Sequence, residues 1–308
     1  MKHITLSGFI ILCCYFTIAQ IPKVSTGTIR HFENFTSNFV KPRNVDVWLP
    51  LGYEPTKKYA VLYMQDGKAL FDAGIMWNHQ EWGVDEVLGK LLAEKKIKDC
   101  IVVGVSNTEV TRHNEYLPQK PFESLDKAGQ DTILSARRAS GEPVYREFTI
   151  RSDNYLRFLV KELKPFIDSS FATLKDQKNT FIAGSSMGGM ISLYAICEYP
   201  RVFGGAACLS THWTGIFRAD NNPFPAVMMK YLAKKLPSPK QHRIYFDHGT
   251  ATLDSLYAPF QQHVDSIMKA KGFSSENWVT KVFSGADHSE NSWNKRLSIP
   301  ILFLLGRN

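Results

Sequence analysis

Apolar residues along the chain recur with two spacings. Short runs rich in β-branched and aromatic residues occur at 28–35, 45–50, 59–65, 100–106, 180–184, 205–210, 243–247 and 278–283, and each predicts a strand. Between them, apolar positions about one helical turn apart predict helices over Glu81–Glu94, Asp153–Phe166, Met187–Glu198 and Leu256–Lys271. Strands alternating with helices predict a mostly parallel eight-stranded sheet, flanked by helices on both faces. The first two strands have only a short connection, so they are expected to begin the sheet as an antiparallel pair. No internal repeat or low-complexity tract interrupts this pattern.

At "TFIAGSSMGGMISLYAICEYP", residues 180–200, a strand runs directly into a helix through two serines and two glycines. Gly184, Ser186 and Gly188 fit GxSxG, a sharp turn that pushes one serine hydroxyl into the open at the top of a sheet. A glycine-rich turn with a surface serine would give the same letters, so the other strand ends decide. Ligands bind at the carboxyl ends of parallel strands. After the seventh strand comes "YFDHGTATLD", with Asp247 and Asp254, and after the eighth comes "SGADHSENSW", with His288. The order Ser, Asp, His is that of an α/β-hydrolase triad.

Only His263 and His288 follow Asp254, and His263 sits inside a helical pattern. His288 is therefore the expected general base. Asp254 is the favoured acid because it lies in the loop where a carboxylate can swing under His288. Asp247 ends its strand and is the alternative. An oxyanion hole needs two backbone donors. Met187, after the nucleophile, supplies one, and Gly67 or Lys68, after the third strand in "YMQDGKALFD", supplies the other. "DG" is also a common turn that needs no ligand.

The chain has 308 residues, 44% of them apolar, enough for a sizeable core. Its net charge of +8 is spread out, densest in "EKKIKD" at 94–99 and "AKKLPSPKQHR" at 233–243. Neither run interleaves aromatics as nucleic-acid modules do, so solvated faces are expected and no nucleic-acid partner. A positive field would still attract anionic esters or acidic polysaccharide. Residues 1–19, with Lys2, an apolar run from Ile4 to Ile18 and a small-residue end, read as a removable signal peptide. Export to a secreted or periplasmic location follows, with no stable membrane span after processing. Cys13 and Cys14 lack the small preceding residue of a lipoprotein site. Cys100, Cys197 and Cys208 look like core thiols. No metal-ligand spacing is present, and neither metal nor cofactor is expected.

With these residues in place, the chain resembles the esterase-D-like "putative esterase" family of α/β-hydrolases, which includes siderophore, feruloyl and acetyl-xylan esterases, S-formylglutathione hydrolases and mycolyltransferases. The likeness is carried by "VWLPLGYEPTKKYAVLYMQDGKALFD", "NEYLP", "FLVKELKPFID", "TFIAGSSMGGMISLYAICEYPRVFGG" and "DHSENSWNKRLSIPILFLL". It implies one α/β-hydrolase domain over 20–308, with Ser186 as nucleophile and His288 as base. "TATLD" departs from the family, many of whose members carry an acid closer to Gly249.

Residues 106–152 are too long for a plain connection and are expected to fold over the site as an insert. Arg112 and Tyr116 within it, and Trp213 after the sixth strand, are candidate substrate contacts. A loop-anchoring ion pair or packed aromatics would explain them equally. The expected activity is that of a serine carboxylic-ester hydrolase on a carbohydrate or siderophore ester. Acyl transfer or peptide cleavage on the same fold, and a non-catalytic carbohydrate-binding protein, are the alternatives.

Overall fold

The structure is a computed structural model that describes residues 20–307. The expected leader, with Cys13 and Cys14, lies outside those residues. The described residues form eight strands: β1 Thr28–Phe35, β2 Arg43–Leu49, β3 Ala60–Gln65, β4 Cys100–Val105, β5 Thr180–Ser185, β6 Gly205–Leu209, β7 Arg243–Gly249 and β8 Trp278–Phe283. They build one sheet in the order β1-β2-β4-β3-β5-β6-β7-β8. As expected, β2 runs antiparallel to β1, and it is antiparallel to β4 as well. All later neighbours are parallel.

Both faces of the sheet are covered, which is why the central strands are continuous apolar runs rather than alternating ones. In β3, Val61 and Tyr63 enter one core, while Ala60, Leu62 and Met64 enter the other. The first core is completed by helices Met187–Glu198, Phe224–Lys235 and Ala258–Ala270, the second by Val84–Ala93 and Ser298–Leu305. Leu193 and Ile182 are fully buried in the first. Truncating either to alanine costs about 2–5 kcal/mol.

Two helices differ from expectation. The one predicted from Glu81 begins at Val84, because Gly83 adopts φ 60° and turns the chain just before it. The one predicted over Asp153–Phe166 continues to Ser170 through a wide π turn at Phe158–Leu163. Pro165 lacks an N–H and its ring crowds the preceding turn, and the wider turn accommodates both.

The 106–152 segment carries short helices at Arg112–Tyr116, Gln119–Glu123 and Lys127–Leu134. Asn114 draws its two ends together by donating to the carbonyls of Glu147 and Thr149, at 2.7 and 3.0 Å. Arg43 grips Glu115 through two buried 2.8 Å bonds, and the Tyr145 hydroxyl donates to the Gly215 carbonyl at 2.6 Å. The insert is thereby tied to the sheet and to the loop that follows β6.

Candidate active site

From Asn179 to Cys197 every residue is buried except Ser186. Its φ of 57° and ψ of −125° lie in a region that a side chain rarely adopts, so the surroundings must hold it there. They do so from three directions. Its N–H donates to the Leu209 carbonyl at 2.9 Å, and its carbonyl accepts from the N–H groups of Met190 and His212, each at 3.1 Å. A Cβ on Gly184 would stand 2.7 Å from the Gly188 backbone, and one on Gly188 would stand 3.0 Å from Gln65 Cβ. Only glycines allow the strand and helix to approach this closely. Met187 begins the helix, where an N–H has no carbonyl behind it.

His288 and Asp254 meet: Nδ1 lies 2.5 Å from Oδ1, with the histidine side chain 14% exposed and the carboxylate fully buried. The other oxygen of Asp254 accepts the Ser210 hydroxyl at 2.6 Å and the Gly249 N–H at 2.5 Å. The imidazole stands edge-on to Trp293 and Tyr257, with centroids 5.1 and 5.9 Å away, and the His288 N–H donates to Thr252 at 2.9 Å. Among the described residues no hydrogen bond joins Ser186 to His288. Such bonds commonly tighten only when substrate is present.

Asp247 is engaged elsewhere. Arg296 donates to both of its oxygens, at 3.0 and 3.2 Å, and Tyr245 adds a third bond at 3.0 Å. Burial pushes this carboxyl above its usual range and Arg296 pulls it back. Glu290 accepts from Asn78 Nδ2 at 3.1 Å.

Gly67 opens a 3₁₀ turn, Gly67–Ala69, after Asp66 at φ 58°. A Cβ on Gly67 would fall 2.7 Å from the Gly104 backbone, so packing against β4 accounts for this glycine. Ala69 and Leu70 use their N–H groups inside the turn. Among the described residues, those of Gly67 and Lys68 have no backbone partner. The Lys68 ammonium points outward to Glu109, 3.6 Å away.

Two of the three expected substrate contacts, Tyr116 and Trp213, are corrected, and the third is already engaged. Arg112 is committed to Asp66 by two 2.7 Å bonds, with Asn107 donating to the same carboxylate at 2.6 Å. It anchors the insert to the turn after β3, the alternative the sequence left open. Tyr116 and Trp213 are core residues. Tyr116 is fully buried against Tyr155, and Trp213 is 1% exposed against Phe246, so neither offers a face to a ligand.

The sequence reading missed His212. Its Nδ1 meets the Tyr257 hydroxyl at 2.7 Å and its Nε2 is buried without a partner. Burial, with His288, Arg112 and Arg138 nearby, pushes it down to about 3, so the ring is neutral. The clue was the polar "STHW" where β6 ends. Trp77, 87% exposed, went unremarked too. It precedes Asn78, whose bond to Glu290 and that of Gln80 to Asn291 hold this loop beside the His288 segment.

A strained serine on a strand-to-helix turn, at the carboxyl end of a mostly parallel sheet, defines an α/β-hydrolase. The chain belongs to the family described as "Putative esterase", whose model matches residues 36–300, and it is a carboxylic ester hydrolase. It is 28% identical over 288 residues to an endo-1,4-beta-xylanase/feruloyl esterase of Xylanibacter ruminicola, covering 89% of this chain and 31% of that protein. A ferulic acid esterase of Anaeromyces mucronatus, solved with ferulic acid, superposes with TM-score 0.62 at 18% identity, over 92% of each chain. The enterobactin esterase of Shigella flexneri gives TM-score 0.61 at 16% identity, over 92% of this chain and 60% of that one. Among the described residues no helix is long and apolar enough to cross a membrane.

Proposed function

We propose that Ser186, His288 and Asp254 form a catalytic triad that hydrolyses acyl esters of carbohydrate, acetyl or feruloyl, outside the cytoplasm. The observation that carries this reading is the Asp254–His288 bond on the same sheet end as Ser186, the one partly exposed residue between Asn179 and Cys197. His288 Nε2 takes the proton of Ser186 Oγ as that oxygen attacks the ester carbonyl. Asp254 fixes the imidazole tautomer and stabilises its cation. The N–H of Met187 and that of Gly67 or Lys68 hold the oxyanion, and such a donor is worth about 2.7–4 kcal/mol. His288 then gives its proton to the departing alcohol, and water releases the acid by the same steps reversed.

The similarity to a xylanase/feruloyl esterase supports the carbohydrate ester, and the exposed Trp77 indole at the rim suits a sugar or phenolic ring. The leader at 1–19 supports export. A panel of p-nitrophenyl acetate, methyl ferulate, acetylated xylan and a tricatecholate siderophore tests the reading. Release of acetate or ferulate from polysaccharide is expected to exceed siderophore cleavage. Dominant siderophore cleavage, or acyl transfer to added sugar at the expense of hydrolysis, would replace it.

A further inference from the structure

The two basic runs at 94–99 and 233–243 take no part in the ester chemistry. The fold brings them together at the amino ends of the parallel strands, opposite Ser186 and His288. Lys98 precedes β4, Lys178 precedes β5 and Arg243 opens β7. Strands of six residues separate the two ends by roughly 20 Å.

Two adjoining grooves of about 640 and 830 Å³ lie here, sharing Arg243 and Glu276. Seven Lys and Arg side chains line them, against the single carboxylate of Glu276. Three have acidic neighbours: Lys96 with Glu94 at 2.8 Å, Lys178 with Asp176 at 3.9 Å and Arg307 with Asp99 at 3.3 Å. Among the described residues the other four, Lys95, Lys98, Lys240 and Arg243, have no carboxylate within ion-pair distance.

Two of these residues are anchored, Arg243 by its side chain and Lys98 by its backbone. Arg243 donates to the Phe303 carbonyl at 2.9 Å, and its guanidinium lies 5.9 Å from the Phe303 ring. The backbone of Lys98 donates to the Leu305 carbonyl at 2.8 Å. Burial, then Arg243 and Lys178, push its ammonium below the usual lysine range. Like charges gathered in a concave surface raise the free energy of the empty groove and focus a positive field, which an anion relieves.

We propose that this face binds a carboxylate-bearing polysaccharide, a polyuronide, at a site separate from the ester site. The walls interleave the cations with Gln241 and Ser274, which suit sugar hydroxyls, while the Gln177 and Asn277 amides brace the groove through the Pro200 and Pro239 carbonyls. The concavity opposes a flat bilayer. The aromatic rings here are those of buried Phe181, buried His242, whose nitrogens are bonded to the Ser238 and Pro200 carbonyls, and partly buried Phe303, which form no open platform for stacking successive bases. Held by this face, the enzyme keeps its opposite end open to esters on the same or a neighbouring polymer.

The test uses the full chain and polygalacturonate, in affinity electrophoresis and calorimetry at low and high salt. Binding that weakens as salt rises is expected. Lys178→Glu with Lys240→Glu should weaken it at least about tenfold, leaving melting and p-nitrophenyl acetate turnover unchanged. Lys41→Glu with Lys127→Glu makes the same charge change elsewhere and should preserve binding. Equal loss in that control, no binding by the wild type, or tighter binding to a single-stranded oligonucleotide or phosphatidylglycerol vesicles than to polygalacturonate each overturns the proposal.

Discussion

Asp247 and Asp254 stand at the end of β7 and in the loop beyond it, both about 1% exposed and both bonded to Ser210. Their employment differs. Asp247 receives two bonds from Arg296, one from Tyr245 and one from the Ser210 N–H, which fills its acceptors. Asp254 satisfies one oxygen with Ser210 and Gly249 and turns the other to His288. Burial and charge therefore do not mark the candidate acid. What marks it is an acceptor that the scaffold leaves for a histidine.

The comparison is sharpest in turnover. Ser186→Ala is expected to lower ester hydrolysis by on the order of 10⁴ or more with unchanged melting, which sets the floor. Asp254→Asn should approach that floor, losing up to roughly 10⁴ at neutral pH, because the amide no longer stabilises the imidazolium. Steady-state kinetics beside thermal melts measures both. Near-normal turnover in Asp254→Asn breaks the distinction between the two carboxylates.

Asp247→Asn should show the reverse. It leaves the buried Arg296 guanidinium with Asp254, 4.0 Å away, as its nearest carboxylate, a loss towards the low end of about 3–5 kcal/mol in stability. Turnover of the folded fraction should stay within several-fold of wild type. Denaturant titration with activity measured below the transition separates the two effects. A stable but inactive variant moves the acid to Asp247.

The sheet was legible because its strands carry their own signals: in β2 to β7 a buried run bounded by Gly, Pro or polar residues predicts itself without a partner, and in β1 and β8 the β-branched and aromatic residues do so. The turn at Ser186 was legible because Gly184, Ser186 and Gly188 stand together in one short segment, although the space they need is set in part by Gln65, 119 residues before Gly184. Side-chain employment was not. Whether Asp247 or Asp254 faces His288 depends on Arg296, some 49 residues from Asp247. Whether Arg112 pairs or binds was open because Asp66, its partner, lies 46 residues earlier. Tyr116 and Trp213 were left between ligand contact and core packing because an aromatic looks the same in sequence whether it faces solvent or core.

His212 extends the comparison to a second pair, two histidines packed against Tyr257, of which only His288 has a carboxylate. Its buried ring stays neutral down to about 3, whereas the unfolded chain takes up a proton near 6.5. A depressed value contributes stability that is present above 6.5 and lost as pH falls towards the folded value. The loss between pH 6.5 and 5 should be on the order of 2 kcal/mol. His212→Asn, which does not titrate, should be less stable at pH 7.5 and lose less on acidification. Parallel stability curves for the two proteins would show that another group governs this range.

The smallest effect is expected at Ser210, the residue the two aspartates share. Its hydroxyl donates to Asp254 at 2.6 Å and accepts from Trp293 Nε1 at 3.0 Å and Arg296 Nη2 at 2.9 Å, while its N–H points to Asp247. Ser210→Ala keeps the backbone bond to Asp247 but leaves two buried donors without this acceptor. A loss of about 1–3 kcal/mol in stability is expected, towards the low end because Arg296 retains Asp247. Asp254 keeps its Gly249 and His288 bonds and loses one orienting donor, so turnover should fall only about tenfold, chiefly in kcat. If the two aspartates work separately, adding Ser210→Ala to Asp254→Asn should cost little further activity, and adding it to Asp247→Asn should still cost the full tenfold. Equal further loss on both backgrounds would mean that Ser210 does not act through Asp254, and the separation between the two carboxylates would have to be sought in Arg296 alone.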